Sequence, residues 1–78
     1  MALELLINGK LQLLPELVAG DSLAAAVTAL QLKSDRIAIE LNGDIAPRST
    51  WDETALGAND RLEIVQFVGG GLGKAVFG

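Results

Sequence analysis

Hydrophobic and polar positions first alternate along this chain at Leu3-Glu4-Leu5-Leu6-Ile7, which places Leu3, Leu5 and Ile7 on one face of a strand. Asn8-Gly9 follows at once, and both residues tolerate positive φ, so a tight type I′ turn and a returning strand over Lys10 to Leu14 are predicted. Pro15 ends that strand because it has no N–H to give a ladder. Asp21 or Ser22 can cap a helix running to about Leu32, with Leu23, Ala26 or Val27, and Leu30 as its inward stripe. Arg36 to Leu41 alternates again and closes on a second Asn-Gly turn, Asn42-Gly43, with Ile45 and Ala46 as a short edge strand before Pro47. The stretch from Ser49 to Asp60 lacks period-two alternation, so it reads as an irregular loop with room for one helical turn and Trp51 as its anchor. Arg61 to Val68 is the last strand, sending Leu62 and Ile64 one way and Glu63, Val65 and Phe67 the other. Gly69, Gly70, Gly71 and Gly73 then leave the backbone with little side-chain restraint.

The order is hairpin, helix, two short strands, loop, closing strand. It predicts an α+β fold, a mixed sheet of four to five strands with one main helix across one face. If the closing strand lies parallel beside the first, as a single helical crossover invites, the architecture is a ubiquitin-like β-grasp. No internal repeat and no second domain is visible, and the fold alone does not fix a function.

Composition narrows the chemistry. The chain has 78 residues, half of them apolar, and neither Cys nor His. Disulfides and thiolate metal sites are excluded, and the usual nucleophile-base pairs cannot be assembled. Apolar packing must hold so small a domain together. A net charge of -4 argues against binding a phosphate backbone and favours basic protein surfaces. No apolar run reaches the roughly 18 residues of a membrane span, and the start lacks a basic region leading into an apolar one, so a cytoplasmic location is expected.

Several short elements stand in a definite order: Leu41-Asn42-Gly43, then Ala46-Pro47-Arg48, Trp51, Asn59-Asp60 leading into Glu63-Ile64-Val65, and Val68-Gly69-Gly70-Gly71. Each alone is common. Together, at this length and after the opening hairpin and helix, they resemble the ThiS/MoaD-type family of ubiquitin-like sulfur carriers over residues 1–71. The Pro47-Arg48 and Trp51 pattern suits the ThiS branch, of thiamin biosynthesis, better than the related carrier of molybdopterin synthesis.

The resemblance implies a carrier that is not itself an enzyme and binds no cofactor. Its terminal glycine carboxylate would be adenylated with ATP by an E1-like enzyme of the ThiF type. A sulfur donor such as a cysteine desulfurase relay would convert it to a thiocarboxylate, and thiazole synthase of the ThiG type would take the sulfur. The family's two motif glycines correspond to Gly70 and Gly71, with Gly71 bearing the sulfur. Glycine suits that task, since it has no Cβ and can enter a narrow cleft in whatever φ the enzyme demands. A free α-carboxyl ionises at about pH 3.3–3.7, so at neutral pH it is an anion able to attack the α-phosphate.

One departure stands out. The family's chain ends at the diglycine, whereas Leu72-Gly73-Lys74-Ala75-Val76-Phe77-Gly78 follows it here. The expected division is a sulfur-carrier domain over 1–71 and a flexible extension over 72–78. Within the chain the Gly71 carboxyl is an amide and cannot attack. Either a protease trims the tail, or it is left from a fusion, or the protein keeps the fold without the activity and serves as a binding module. Gly78 is a terminal glycine too, but Phe77 before it would fit a narrow cleft poorly.

Other signals are weaker. Gly73-Lys74 is not a phosphate loop, because the spacing from Gly69 is one residue short and Ala75 stands where a Ser or Thr would hold Mg²⁺. Asp52-Glu53 reads as a solvated turn, and Arg48 as a solvated or surface-paired cation. Val65 and Phe67, with Leu6 of the first strand beside them, form an apolar group on the face away from the helix and are the expected partner-binding residues.

Overall fold

The computed structural model describes residues 2–67. Five strands form one mixed sheet: β1 (Leu3–Ile7), β2 (Lys10–Leu14), β3 (Ile37–Leu41), β4 (Asp44–Ile45) and β5 (Arg61–Gln66), in the spatial order β2-β1-β5-β3-β4. β5 runs parallel to β1 and antiparallel to β3, and the two hairpins β1–β2 and β3–β4 flank it. Helix α1 (Leu23–Ala29) accompanies this sheet, which makes the fold the expected β-grasp.

Both hairpins turn on Asn-Gly with positive φ at each central residue: Asn8 at 50° and Gly9 at 82°, Asn42 at 51° and Gly43 at 92°. The asparagines also brace β5 from its two sides. β1 stops opposite Leu62, and beyond it the Asn8 side chain takes over the ladder, its Oδ1 accepting from the Ile64 N–H at 2.7 Å and its Nδ2 donating to the Ile64 carbonyl at 3.2 Å. On the other side Asn42 Oδ1 accepts from the Arg61 N–H at 2.9 Å. Asn8→Gly keeps the turn but loses both bonds to Ile64, and should cost about 1 kcal/mol. Asn8→Ala must also hold a Cβ at positive φ and should cost about 1 kcal/mol more. Urea midpoints for the two variants separate the contributions, and equal midpoints would remove the role given to the positive φ.

Ser22, rather than Asp21, caps α1: its Oγ accepts from the Ala25 N–H at 3.1 Å, while the Asp21 carboxylate accepts from the Val18 N–H at 2.9 Å. The helix is shorter than predicted. Gln31 turns to φ 59°, and the N–H groups of Gln31 and Leu32 donate back to the Thr28 and Val27 carbonyls at 3.0 and 3.1 Å. This is the Schellman pattern, and it folds Leu32 onto the core side instead of extending the helix.

The inner face of the sheet contributes Leu3, Leu5, Ile7, Leu14, Ile37, Ile39 and Leu62 to the core, and α1 adds Leu23, Ala26 and Val27. Three more buried side chains come from irregular segments: Leu17, Trp51 and Leu56. The stretch predicted as a loop contains a 3-10 helix, Arg48–Glu53, that lies against α1. Its far end is tied down by backbone bonds from Leu23 N–H to Thr54 and from Gly20 N–H to Leu56, both 2.8 Å. Arg36 belongs to another 3-10 turn, Ser34–Arg36, so β3 begins one residue later than predicted.

Candidate functional site: the open face of the sheet

The face of the sheet turned away from the core is set by alternation. β1 presents Glu4 and Leu6 there, β2 Leu11 and Leu13, β3 Ala38 and Glu40, β4 Ile45, and β5 Arg61, Glu63, Val65 and, just past its end, Phe67. Leu6, Val65 and Phe67 are each half-buried.

The three residues do share the face, but they do not form one group. Parallel pairing sets Leu6 opposite Arg61 and antiparallel pairing sets it opposite Leu11. Val65 lies four residues further along β5, about 13 Å away, opposite Ala38. Phe67 is beyond it, its N–H donating to the Arg36 carbonyl at 2.8 Å. The expected contact between Leu6 and the pair Val65/Phe67 is absent because β1 ends at Ile7, level with Leu62. There are two apolar islands, one of Leu6, Leu11 and Leu13, the other of Val65, Phe67 and Ala38.

Between the islands the surface is acidic. Glu63 of β5 sits directly opposite Glu40 of β3, and Glu40 is in turn opposite Ile45. Like charges in facing positions weaken a sheet pairing by a few tenths of a kcal/mol or more. A basic group from a partner would relieve that repulsion. Sequence reasoning missed Leu11 and Leu13, although the Asn8-Gly9 turn fixes the register that puts them beside Leu6. The facing glutamates were hidden, since no local pattern reveals which residues of β3 and β5 meet.

Trp51 is a packing residue: 3% exposed, with its indole N–H donating to the Ala46 carbonyl at 2.8 Å. Arg48 donates to the Ser34 carbonyl at 3.3 Å, and Asp52 and Glu53 are exposed. Among the described residues no group of acidic side chains is placed to hold a metal ion, and no helix is long and apolar enough to cross a membrane. A groove of about 260 Å³ lies away from the open face, between Leu30, Leu32, Ile7, Ile64 and the amides of Asn8, Gln12 and Gln66. None of these lining side chains is titratable.

A model of the ThiS family matches residues 5–71, nearly the whole chain. The chain belongs to the ThiS family. A crystal structure of the thiamine biosynthesis protein ThiS from Geobacter metallireducens superimposes with a TM-score of 0.73 at 27% identity, covering 88% of this chain and 100% of that one. A solution structure of a thiamine biosynthesis protein from the same organism gives 0.65 at 30% identity, with 88% of each chain covered. Among curated proteins, a thiazole synthase of Paramagnetospirillum magneticum is 34% identical over 73 residues, 94% of this chain and 22% of that protein. The present chain thus spans about a fifth of that relative's length. An uncharacterized protein of Pyropia yezoensis, ycf40, is 38% identical over 50 residues, 64% of this chain and 70% of that protein. The ThiS match runs through Gly70 and Gly71, which lie outside the described residues, as does the extension over 72–78.

Proposed function

We propose that this chain is a sulfur carrier for thiazole formation, acting through the carboxylate of Gly71 and without catalysis of its own. The observation that carries the reading is a ThiS-family match that extends to Gly71 on a β-grasp whose closing strand leads straight into the glycines. In the first step a Gly71 carboxylate oxygen bonds to the α-phosphorus of ATP on an E1-like adenylating enzyme, and pyrophosphate leaves. The terminal sulfur of a persulfide donor then attacks the acyl carbon and displaces AMP, giving an acyl disulfide, and a thiol reductant cleaves the S–S bond to leave the thiocarboxylate; a sulfide-level donor would give it directly. The long relative named thiazole synthase holds a segment similar to this chain within a single polypeptide, and physical linkage of that kind supports thiazole synthase as the recipient of the sulfur.

The open face would supply recognition. Gly71 is four residues past Phe67, at most about 14 Å of extended chain. A partner gripping Val65 and Phe67 therefore holds the reacting end within a short, defined reach. Val65→Asp is expected to weaken binding to the adenylating enzyme by about ten-fold or more, as loss of a central apolar contact does at protein interfaces. Val65 is half-buried on the central strand beside Glu63, so the substitution should also cost about 1 kcal/mol of stability and leave the chain folded for the binding measurement. Titration by calorimetry checks both, and unchanged affinity would remove Val65 from the interface.

Intact-mass measurement on protein from its native host tests the function itself. A species ending at Gly71 and carrying one sulfur in place of one oxygen supports the carrier. Persistence of residues 72–78 in cells making thiazole favours the alternative, a β-grasp module that only docks onto a partner.

A further inference from the structure

Among the described residues β2 is an outer strand of the sheet, with β1 as its one neighbour. The hairpin register decides which of its backbone groups are free. Lys10 faces Ile7 across the two-residue turn, and residues flanking such a turn are a hydrogen-bonded pair. Alternation therefore gives Lys10, Gln12 and Leu14 to β1 and turns the N–H and C=O groups of Leu11 and Leu13 outward. No turn or loop bond among the described residues reaches either. Their side chains are 56% and 58% exposed on the open face. An exposed edge with apolar side chains at both outward positions is a template for strand pairing.

We propose that β2 pairs antiparallel with β2 of a second copy of this chain, about a two-fold axis through Gln12. In that register Leu11 of one copy faces Leu13 of the other, Gln12 faces Gln12, and Lys10 faces Leu14. The outward groups of Leu11 and Leu13 form two hydrogen-bonded pairs and so four N–H···O bonds. A one-residue slip sets an outward residue against one already bonded to β1. Centring on Leu13 instead puts Leu11 against Pro15, which has no N–H, and centring on Leu11 puts Leu13 against Gly9 in the positive-φ turn. Only the Gln12 register matches leucine with leucine at both outward positions.

Charge agrees with the pairing. Lys10 is the single charged residue of β2, and the two copies hold their Lys10 at opposite ends of the ladder. None of the chain's ten acidic residues lies on the strand, so no carboxylates are forced together there. On the open face each row reads Leu6 and Leu11 of one copy, then Leu13 and Glu4 of the other, which joins the two hairpin islands into one isologous surface. A foreign strand would need apolar residues at matching alternate positions; a second β2 already has them. The interface is small, and it leaves Val65 and Phe67 free for another partner.

Sedimentation equilibrium of the full chain from about 10 μM to about 1 mM, the range in which small interfaces associate, tests this. The mean mass should rise from 8.1 kDa toward twice that value. Hydrogen exchange at the highest concentration should slow at the Leu11 and Leu13 amides by about ten-fold relative to dilute protein, with Lys10, Gln12 and Leu14 changing little. Leu13→Lys, at a site already in solvent, should weaken association by about ten-fold or more with an unchanged circular dichroism spectrum. A chain that stays monomeric at the top concentration overturns the proposal. So does association that leaves the Leu11 and Leu13 amides unprotected, or that survives Leu13→Lys.

Discussion

With its adenylating enzyme and ATP, a chain ending at Gly71 is expected to exchange pyrophosphate into ATP, and a chain continuing to Gly78 is expected to give only background. The difference should be about three orders of magnitude or more, equivalent to about 4 kcal/mol in the barrier. Its cause is chemical and not conformational. At the end of the chain Gly71 presents a carboxylate with charge on two oxygens; inside the chain the same carbon belongs to a resonance-stabilised amide whose oxygen carries no full charge. Position matters as well. A chain ending at Gly70 keeps a carboxylate but falls about 3.5 Å short of the reacting phosphorus if Val65 and Phe67 fix the docking. Misplacement by 1 Å can cost about a hundred-fold, so that chain should also be nearly silent. Equal exchange by the Gly71-ended and Gly78-ended proteins would defeat this account of the tail. Exchange by the Gly78-ended protein that disappears when only Gly78 is removed would move the reacting carboxylate to Gly78, despite the bulk of Phe77 beside it.

What the sequence made legible follows the range of the interactions involved. Both hairpins were readable because Asn8-Gly9 and Asn42-Gly43 are local devices, and the structure places positive φ at all four residues. The core faces of β1 and β5 were readable from alternation, and the helix start from Asp21-Ser22 ahead of the apolar stripe, although both residues can cap and only the Ala25 N–H bond selects Ser22. The early end of α1 was not, because its stop is a glutamine in the left-handed region, where glycine is the usual signal. Leu17 and Leu56 were also missed: each is buried from a segment without periodicity and is recognisable only once the Ser22–Ala55 bridge brings those segments together. The open face shows the same divide. Alternation placed Leu6, Val65 and Phe67 on the correct side of the sheet, but their separation depends on where parallel pairing stops, a property of two strands more than fifty residues apart in the chain.

Replacing Trp51 by alanine is expected to give the largest stability loss among substitutions away from the central strands, about 3–5 kcal/mol. Trp51 is 3% exposed and fills the space beside α1 from a six-residue 3-10 helix that no ladder supports. Without the indole, a cavity opens beside α1, and the Ala46 carbonyl loses the donor at 2.8 Å that fixes the chain leaving β4. A domain of this size starts from a margin of about 5 kcal/mol or a little more, so the variant should be largely unfolded at 37 °C. Trp51→Phe separates the two contributions. It restores most of the apolar volume but offers no N–H, and should cost about 1–3 kcal/mol, the penalty for an acceptor left unpaired plus a small void. Urea titrations with the slope held constant give both values. A loss below about 1 kcal/mol for Trp51→Ala would mean that the Arg48–Glu53 segment is a cover laid over a finished core. The expected loss makes it part of that core, and the one aromatic side chain of the segment then does for the second half of the chain what α1 does for the first.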